Sequence, residues 1–319
     1  MRRQSKVIKN EDGAALLLTL LILTILVVSG LELTRVMRVE AQLAGNFRDL
    51  TQAYYIAYSG VEMARAIIQE DDSSYDSLEE KWGQFGLFAH FSSHLFPEGY
   101  FTGTLADEGA KFNPNLMIDS YGNVVQKKKD QMERLLSLLG YRTEVLDAIL
   151  DWLDPDELKR NEGAEKEYYL SLVNRYPPKN GPLNTPEEMV LIKGLDASFL
   201  LGNADREGMG NYLTPFSEGK ININTASLAM LMSLSDKIDQ SMAQAVINYR
   251  QQKPFRKEED IRTIAGWEAV FPQISSEISV RSNYFAMEIQ GYYRDAQVRV
   301  QTVIRRDGRR TQILYWKVL

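Results

Sequence analysis

The strongest pattern in the chain is an uninterrupted apolar run near its start. Ala14 to Leu31 carries no charge, and only Thr19, Thr24 and Ser29 interrupt it with polar side chains. A helix of that length just reaches across a bilayer core of about 30 Å. No small-residue cleavage site follows; Leu31-Glu32-Leu33-Thr34-Arg35-Val36 instead carries helical periodicity onward. Two sets of positions then repeat every seven residues, Leu43, Leu50, Ala57, Ala64 and Phe47, Tyr54, Val61, Ile68. Together they make one apolar stripe, with Glu40, Gln42, Arg48, Asp49, Gln52 and Glu62 off it. The pattern predicts a continuous helix of roughly 80 Å from Ala14 to Gln69, half membrane anchor and half scaffold. Gly45 and Gly60 are its expected weak points, each costing about 1 kcal/mol relative to alanine.

Beyond it, the polar stretch Asp71 to Ser77 reads as loop. From Gly99 to Asn115 the period becomes two. Tyr100, Thr102 and Thr104 alternate with Phe101, Gly103 and Leu105, and Glu108-Gly109 reads as the turn of a local hairpin. Asp130 to about Phe271 is helical and rich in caps. The segment Asp130 to Gly140 ends on glycine, Thr143 is a candidate N-cap for a helix reaching Leu153, and Thr185-Pro-Glu-Glu188 combines an N-cap, a proline at N1 and a capping-box acid. That last helix is expected to end at Lys193-Gly194. From Ser279, strand-like runs cover Val280–Gln290, Gln297–Arg306 and Thr311–Val318, separated by Gly291 to Asp295 and by Asp307-Gly308. Val298, Val300, Thr302 and Ile304 share one face; Arg299 and Gln301 take the other. The expected fold class is α+β: a long N-terminal helix packed on a small antiparallel sheet, with the helical middle as a large insertion.

Composition narrows the function. At 319 residues the chain is long for one domain, and two or three units with their own cores are expected. A net charge of −6 argues against a protein built to grip polyphosphate. The absence of cysteine excludes disulfides, thiolate metal sites and a cysteine nucleophile. Arg2, Arg3, Lys6 and Lys9 make a basic leader, softened by Glu11 and Asp12, that would stay cytoplasmic and send the rest of the chain outward. A simple anchor is one reading. The sharper one is a prepilin leader cut between Gly13 and Ala14, with the apolar helix retained; Gly13 can enter a peptidase site extended, without an obstructing Cβ. No G-x-S-x-G, P-loop or G-x-G-x-x-G motif is present, so the expectation is that the chain is not an enzyme.

The residues Gly219-Lys-Ile-Asn-Ile-Asn-Thr-Ala226, Ala243-Gln-Ala-Val-Ile-Asn-Tyr-Arg250, Pro254-Phe255 and Glu259-Asp-Ile261 resemble the helix-hairpin-helix-like module of type II secretion protein K. They also resemble the DNA receptor of competence systems. Asp151-Trp-Leu-Asp154, Gly163-Ala-Glu-Lys-Glu-Tyr-Tyr169 and Leu183-Asn-Thr-Pro-Glu-Glu188 running to Lys193-Gly194-Leu195 look like the first family alone. With the prepilin leader, the resemblance covers nearly the whole chain. It implies a pilin-like head carrying an all-α, helix-hairpin-helix/SAM-like insertion. The implied domains are a leader (1–13), a transmembrane half-helix (14–31), the soluble half-helix with the first part of the head (32–115), a first helical insertion (116–216), a second (217–275), and the C-terminal strands (276–319). It further implies cleavage after Gly13 by a prepilin peptidase, N-methylation of Ala14, and a periplasmic head anchored in the inner membrane. The implied partners are the I and J minor pseudopilins and the other pseudopilins of the fibre, for export of folded proteins across the outer membrane. Pilins usually carry glutamate as the fifth mature residue, to pair with a neighbour's amine; this chain has Leu18. A subunit with nobody above it has no amine to pair with, so leucine marks a tip position, where an unpaired intramembrane carboxylate would cost about 2.5–3.5 kcal/mol.

Two other readings share parts of this evidence: a membrane-tethered helix-hairpin-helix DNA receptor, and a minor subunit of a type IV pilus. The hairpin turn here would be Leu234 to Asp239, with no glycine and two carboxylates, and Lys253, Arg256 and Lys257 are offset by Glu258, Glu259 and Asp260. That composition speaks against phosphate contact, and no nucleic acid is expected. His90 and His94 could face one metal at i, i+4, yet no third ligand is apparent and surface or packing roles suit them better. The acidic run Asp151, Asp154, Asp156, Glu157, Glu162, Glu165 could offer hard oxygens to calcium. It departs from an EF-hand loop after Asp154-x-Asp156, and a solvated acidic loop is the competing reading. The resemblance implies calcium binding without assigning ligands; Asp154 and Asp156 are the candidates, and no cofactor is required.

Overall fold

A computed structural model describes residues 11–71 and 74–319. The basic leader lies outside them. Helix α1 runs unbroken through Glu11–Glu70, about 90 Å at 1.5 Å per residue. Its apolar side chains from Leu16 to Val39 are all exposed, whereas Ala53, Ile56, Ala57, Val61, Ala64 and Ile68 are buried. The heptad stripe is therefore divided: Leu43, Phe47 and Leu50 face outward, and only its upper half is covered.

What covers it is a four-stranded antiparallel sheet in the order β1-β4-β5-β6. The strands are β1 (Gly99–Asp107), β4 (Tyr284–Tyr293), β5 (Ala296–Asp307) and β6 (Arg310–Val318). Val298, Val300, Thr302 and Ile304 are buried on one face of β5, as their alternation requires. The Asp307-Gly308 hairpin forms with Gly308 at φ +57. Three expectations fail. The segment after Gly99 is not a local hairpin: Glu108–Ala110 is a short 3-10 turn, and β1 pairs with β4 from the far end of the chain. Gly291 is not a turn; it lies inside β4, where a Cβ would strike Ala53 O and sit 2.6 Å from Ala57 N of α1. Gly60 is not a weak point, because it is the matching close approach, 2.7 Å from Ile289 for an added Cβ. At Gly291 the sheet backbone meets the helix backbone, and at Gly60 the helix backbone meets the side chains of Ile289 and Phe101 from the sheet. A short helix α2 (Phe85–His90) closes this core with Trp82 and Phe85.

Between Asp107 and Tyr284 the chain builds a second core. Its helices are α3 (Gln126–Leu138), α4 (Val145–Leu153), α5 (Lys166–Ser171), α6 (Ala197–Leu201), α7 (Leu228–Ser233), α8 (Gln240–Arg250) and α9 (Trp267–Ile274). Glu188 reaches back to the Thr185 amide as the capping-box pattern requires, although the segment Pro186–Leu191 is 3-10 rather than α. Helix α4 starts one turn-position later than Thr143 implies, at Val145. One apolar cluster runs from Phe112 to Val280 through all seven helices. The insertion is not purely helical either: β2 (Ile221–Asn222) and β3 (Ile278–Ser279) pair in parallel. That pairing ties the second half of the insertion to the segment that re-enters the head.

A buried polar junction joins the two cores. Arg306 of β5 donates to Asp71 Oδ2 at 2.9 Å and to both oxygens of Asp76 at 2.8 and 2.6 Å. Asn222 donates to Asp107 Oδ2 at 2.9 Å, and Thr225 donates to the same oxygen at 2.6 Å. The Gly109 amide caps Asp107 Oδ1 at 2.7 Å. The motif Ile-Asn-Ile-Asn-Thr-Ala thus reaches out of its own module to hold the end of β1.

Candidate functional site

The acidic run folds so that Asp151, Asp154 and Glu165 are buried together while Asp156, Glu157 and Glu162 stay exposed. Helix α4 is amphipathic, and burial of its apolar face carries Asp151, in its last turn, and Asp154, its C-cap, to zero exposure. The chain then loops out and returns so that Glu165, 6% exposed, precedes α5. Gly163 allows this return, because a Cβ there would collide with the Asp151 carboxylate.

Arg160 enters as the one cation paired with the cluster among the described residues. Its Nη1 donates to Asp151 Oδ1 at 2.6 Å and also to Asp154 Oδ2, and its amide donates to Asp151 Oδ2 at 3.1 Å. Asp154 Oδ1 and both oxygens of Glu165 are buried without a hydrogen-bond partner among the described residues. Carboxylate oxygens of Asp154, Asp156 and Glu165 lie within 4.8 Å of one another. Burial, reinforced by the charges of Asp151, Asp154, Glu157 and Asp156, pushes Glu165 up to about 7. Burial also raises Asp154, against the pull of Arg160.

Orphaned, desolvated carboxylate oxygens are costly unless a proton or a cation meets them. Converging hard oxygens without sulfur or imidazole suit calcium, which takes six to eight oxygens at about 2.3–2.6 Å. Asp154, Asp156 and Glu165 are the residues that could hold such an ion. Asn180 sits at the rim, its Nδ2 donating to Asp156 O at 3.0 Å and its buried Oδ1 unpartnered. Sequence reasoning named Asp154 and Asp156 but not Arg160, whose position in the loop carries no periodic signal. Glu165 was visible only as one acid among several.

The other candidates fall elsewhere. Gly13, Ala14 and Leu18 lie on the exposed first part of α1, with Leu18 58% exposed. His90 and His94 are both exposed, and neither joins a metal-ligand grouping among the described residues. The hairpin turn from Leu234 to Asp239 lies between α7 and α8 and uses its own groups as caps. Asp239 accepts the Met242 amide at 2.8 Å, and Ser235 accepts that of Lys237 at 3.3 Å. The amides of Arg256 and Lys257 are both taken by Asp260 Oδ2 at 3.1 Å. A phosphate would meet carboxylates at both places.

Comparison with known proteins bears on the same segments. Two family models, both described as type II secretion system (T2SS) protein K, match residues 110–201 and 221–281. The type II secretion system protein K of Aeromonas hydrophila is 26% identical over 327 positions, covering 92% of this chain and 93% of that protein. The chain belongs to the type II secretion system protein K family. The protein K of Klebsiella pneumoniae is 31% identical over 200 positions, covering 59% of this chain and 60% of that one. In fold, the chain matches one chain of the crystal structure of the GspK-GspI-GspJ complex from the enterotoxigenic Escherichia coli type 2 secretion system. The TM-score is 0.68 at 20% identity, over 88% of this chain and 99% of that one. The first family match contains the whole acidic cluster; the second contains Asn222 and Thr225 of the polar junction.

Proposed function

We propose that this protein is the tip subunit of a type II secretion pseudopilus, a minor pseudopilin that starts and caps the fibre. The observation that carries this reading is α1, whose stretch from Ala14 to Leu31 stands free and uncharged while its second half is the spine of the head. In a bilayer, the free half satisfies its backbone internally and needs no covering surface. Its exposed continuation through Leu43, Phe47 and Leu50 offers a seam for neighbouring helices. The leader lies on the cytoplasmic side and the head in the periplasm. Cleavage falls between Gly13 and Ala14, with methylation of Ala14. Leu18 removes the carboxylate that would need a subunit above. The insertion, larger than the sheet it hangs from, is accommodated at an end more easily than within a packed fibre. The head serves assembly rather than catalysis.

The fold match to a chain crystallised with GspI and GspJ supports the I and J pseudopilins as partners. Calcium held by Asp154, Asp156 and Glu165 would fix the loop between α4 and α5 by pairing the orphaned oxygens. Co-expression of the full chain with its I and J counterparts, followed by detergent extraction and affinity isolation of one tagged subunit, tests the reading. A stoichiometric ternary complex is expected. Recovery of the tagged subunit alone would sink the tip assignment.

A further inference from the structure

The end of α8 carries a guanidinium with no counter-ion among the described residues. Arg250 uses one nitrogen, Nη1, to donate to Ile223 O and Ala226 O, both at 2.8 Å, and so clamps the turn before α7. Nε and Nη2 have no acceptor among the described residues, and neither is sealed from solvent. Those two nitrogens present the side-on edge of the fork, the face that pairs bidentately with a carboxylate or a phosphate. No Asp or Glu forms a salt bridge with it among the described residues. Burial alone acts on its charge and pulls it down to about 10, so it stays protonated at neutral pH without local compensation.

Arg250 lines an open cavity of about 230 Å³ between α8 and the loop that follows α1. Gln84 and Gln251 supply amides at its walls, Leu78 and Ile247 apolar surface, and Glu79 a carboxylate. Gln84 is held in place by donating to Glu79 O at 3.0 Å. Arg250 is likewise fixed, so a ligand would find its donors already oriented and lose little rotamer freedom on binding. The mixed lining suits one carboxylate on an apolar stem. A doubly charged phosphate would meet greater repulsion from Glu79.

We propose that this cavity is a carboxylate-binding site, in which Arg250 Nε and Nη2 receive one carboxylate of a protein chain, from an acidic side chain or a free C-terminus. The site goes beyond the tip reading and does not depend on calcium. It gives the Tyr249-Arg250 end of the module a binding role beside its structural one.

Thermal unfolding of the full chain in detergent tests it, with sodium acetate, sodium phosphate or sodium chloride at matched ionic strength. Acetate is expected to raise the melting temperature above chloride in a saturable way. Glu79→Gln should enlarge that increment, and Arg250→Lys, which keeps a donor for the two carbonyls but loses the fork, should abolish it. If Arg250→Lys does not fold, Glu79→Gln decides alone. A lower melting temperature in Glu79→Gln with no acetate increment would mean that Glu79 is the intramolecular counter-ion, and would overturn the site. So would equal acetate increments in wild type and Arg250→Lys, or a larger response to phosphate or to a duplex DNA. Peptides with free or amidated C-termini, with and without an internal glutamate, distinguish the two carboxylate sources.

Discussion

Two acidic clusters in this molecule are each built around one arginine, and they end differently. Around Arg306, the carboxylates of Asp76 and Asp107 are met by donors from several segments: the Ser282 amide at 2.8 Å, the Gly109 amide, Asn222 and Thr225. Around Arg160, three carboxylate oxygens of Asp154 and Glu165 are buried and have no hydrogen-bond partner among the described residues. The first cluster is finished by the polypeptide. The second is complete only with a proton or a cation from outside. Acid count alone does not separate them; the supply of neighbouring N–H and O–H groups does.

The sharpest way to break the comparison is to remove the cation of the finished cluster. Arg306→Leu would leave buried carboxylates uncompensated, and a loss of about 3–5 kcal/mol is expected by chemical denaturation. A loss under ~1 kcal/mol would show that the junction does not hold the two cores together. The unfinished cluster should respond instead to what is added. With calcium at a hundredfold over its dissociation constant, a gain of about 2.7 kcal/mol over chelator-treated protein is expected, and Glu165→Gln should remove most of it. Next in size, Asn222→Ala deletes one donor to Asp107 and is expected to cost about 1–3 kcal/mol regardless of calcium.

The comparison also bears on pH. Burial raises Asp76 and Glu165 to about 7 in the folded chain, above their ordinary values of 3.8 and 4.5. The folded state therefore binds more protons than the unfolded one between those limits, and stability should fall as pH rises from about 4 to about 7. Calcium favours ionised Glu165, so it should flatten that part of the slope and leave the Asp76 part. Melting curves at pH 5 and 7.5, with and without calcium, separate the two. An identical pH slope with and without the ion would remove Glu165 from the site.

Much of the fold was legible because it rests on periodicity. The apolar run and heptads gave α1, the alternation of Val298, Val300, Thr302 and Ile304 gave β5, and Asp307-Gly308 gave the last hairpin. Partner choice was not legible. Alternation at Tyr100 to Leu105 announces a strand but cannot say that it pairs with Met287 to Tyr292. Gly60 and Gly291 read as weaknesses or turns because a glycine needed for close approach looks, in sequence, like any other. At the acidic pocket, Asp154 and Asp156 stood out as a pair, whereas Glu165 and Arg160 depend on how the loop returns. Asn222 and Thr225 were visible as a motif, but their reach to Asp107 crosses from one core to the other and has no local signature.

Asp107 and Phe285, where the chain leaves and re-enters the sheet, are register partners on adjacent strands. The insertion thus begins and ends at nearly one point. Closing an unfolded loop of that length carries an entropic cost growing as about (3/2)RT ln n. Once the insertion has its own core and its own β2–β3 pairing, its two ends are already together and most of that cost has been met. The order of events is therefore built into the topology: the inserted unit should gain hydrogen-exchange protection before β1 and β4 do. In a chain made N-terminal helix first, the sheet then waits for its passenger to fold.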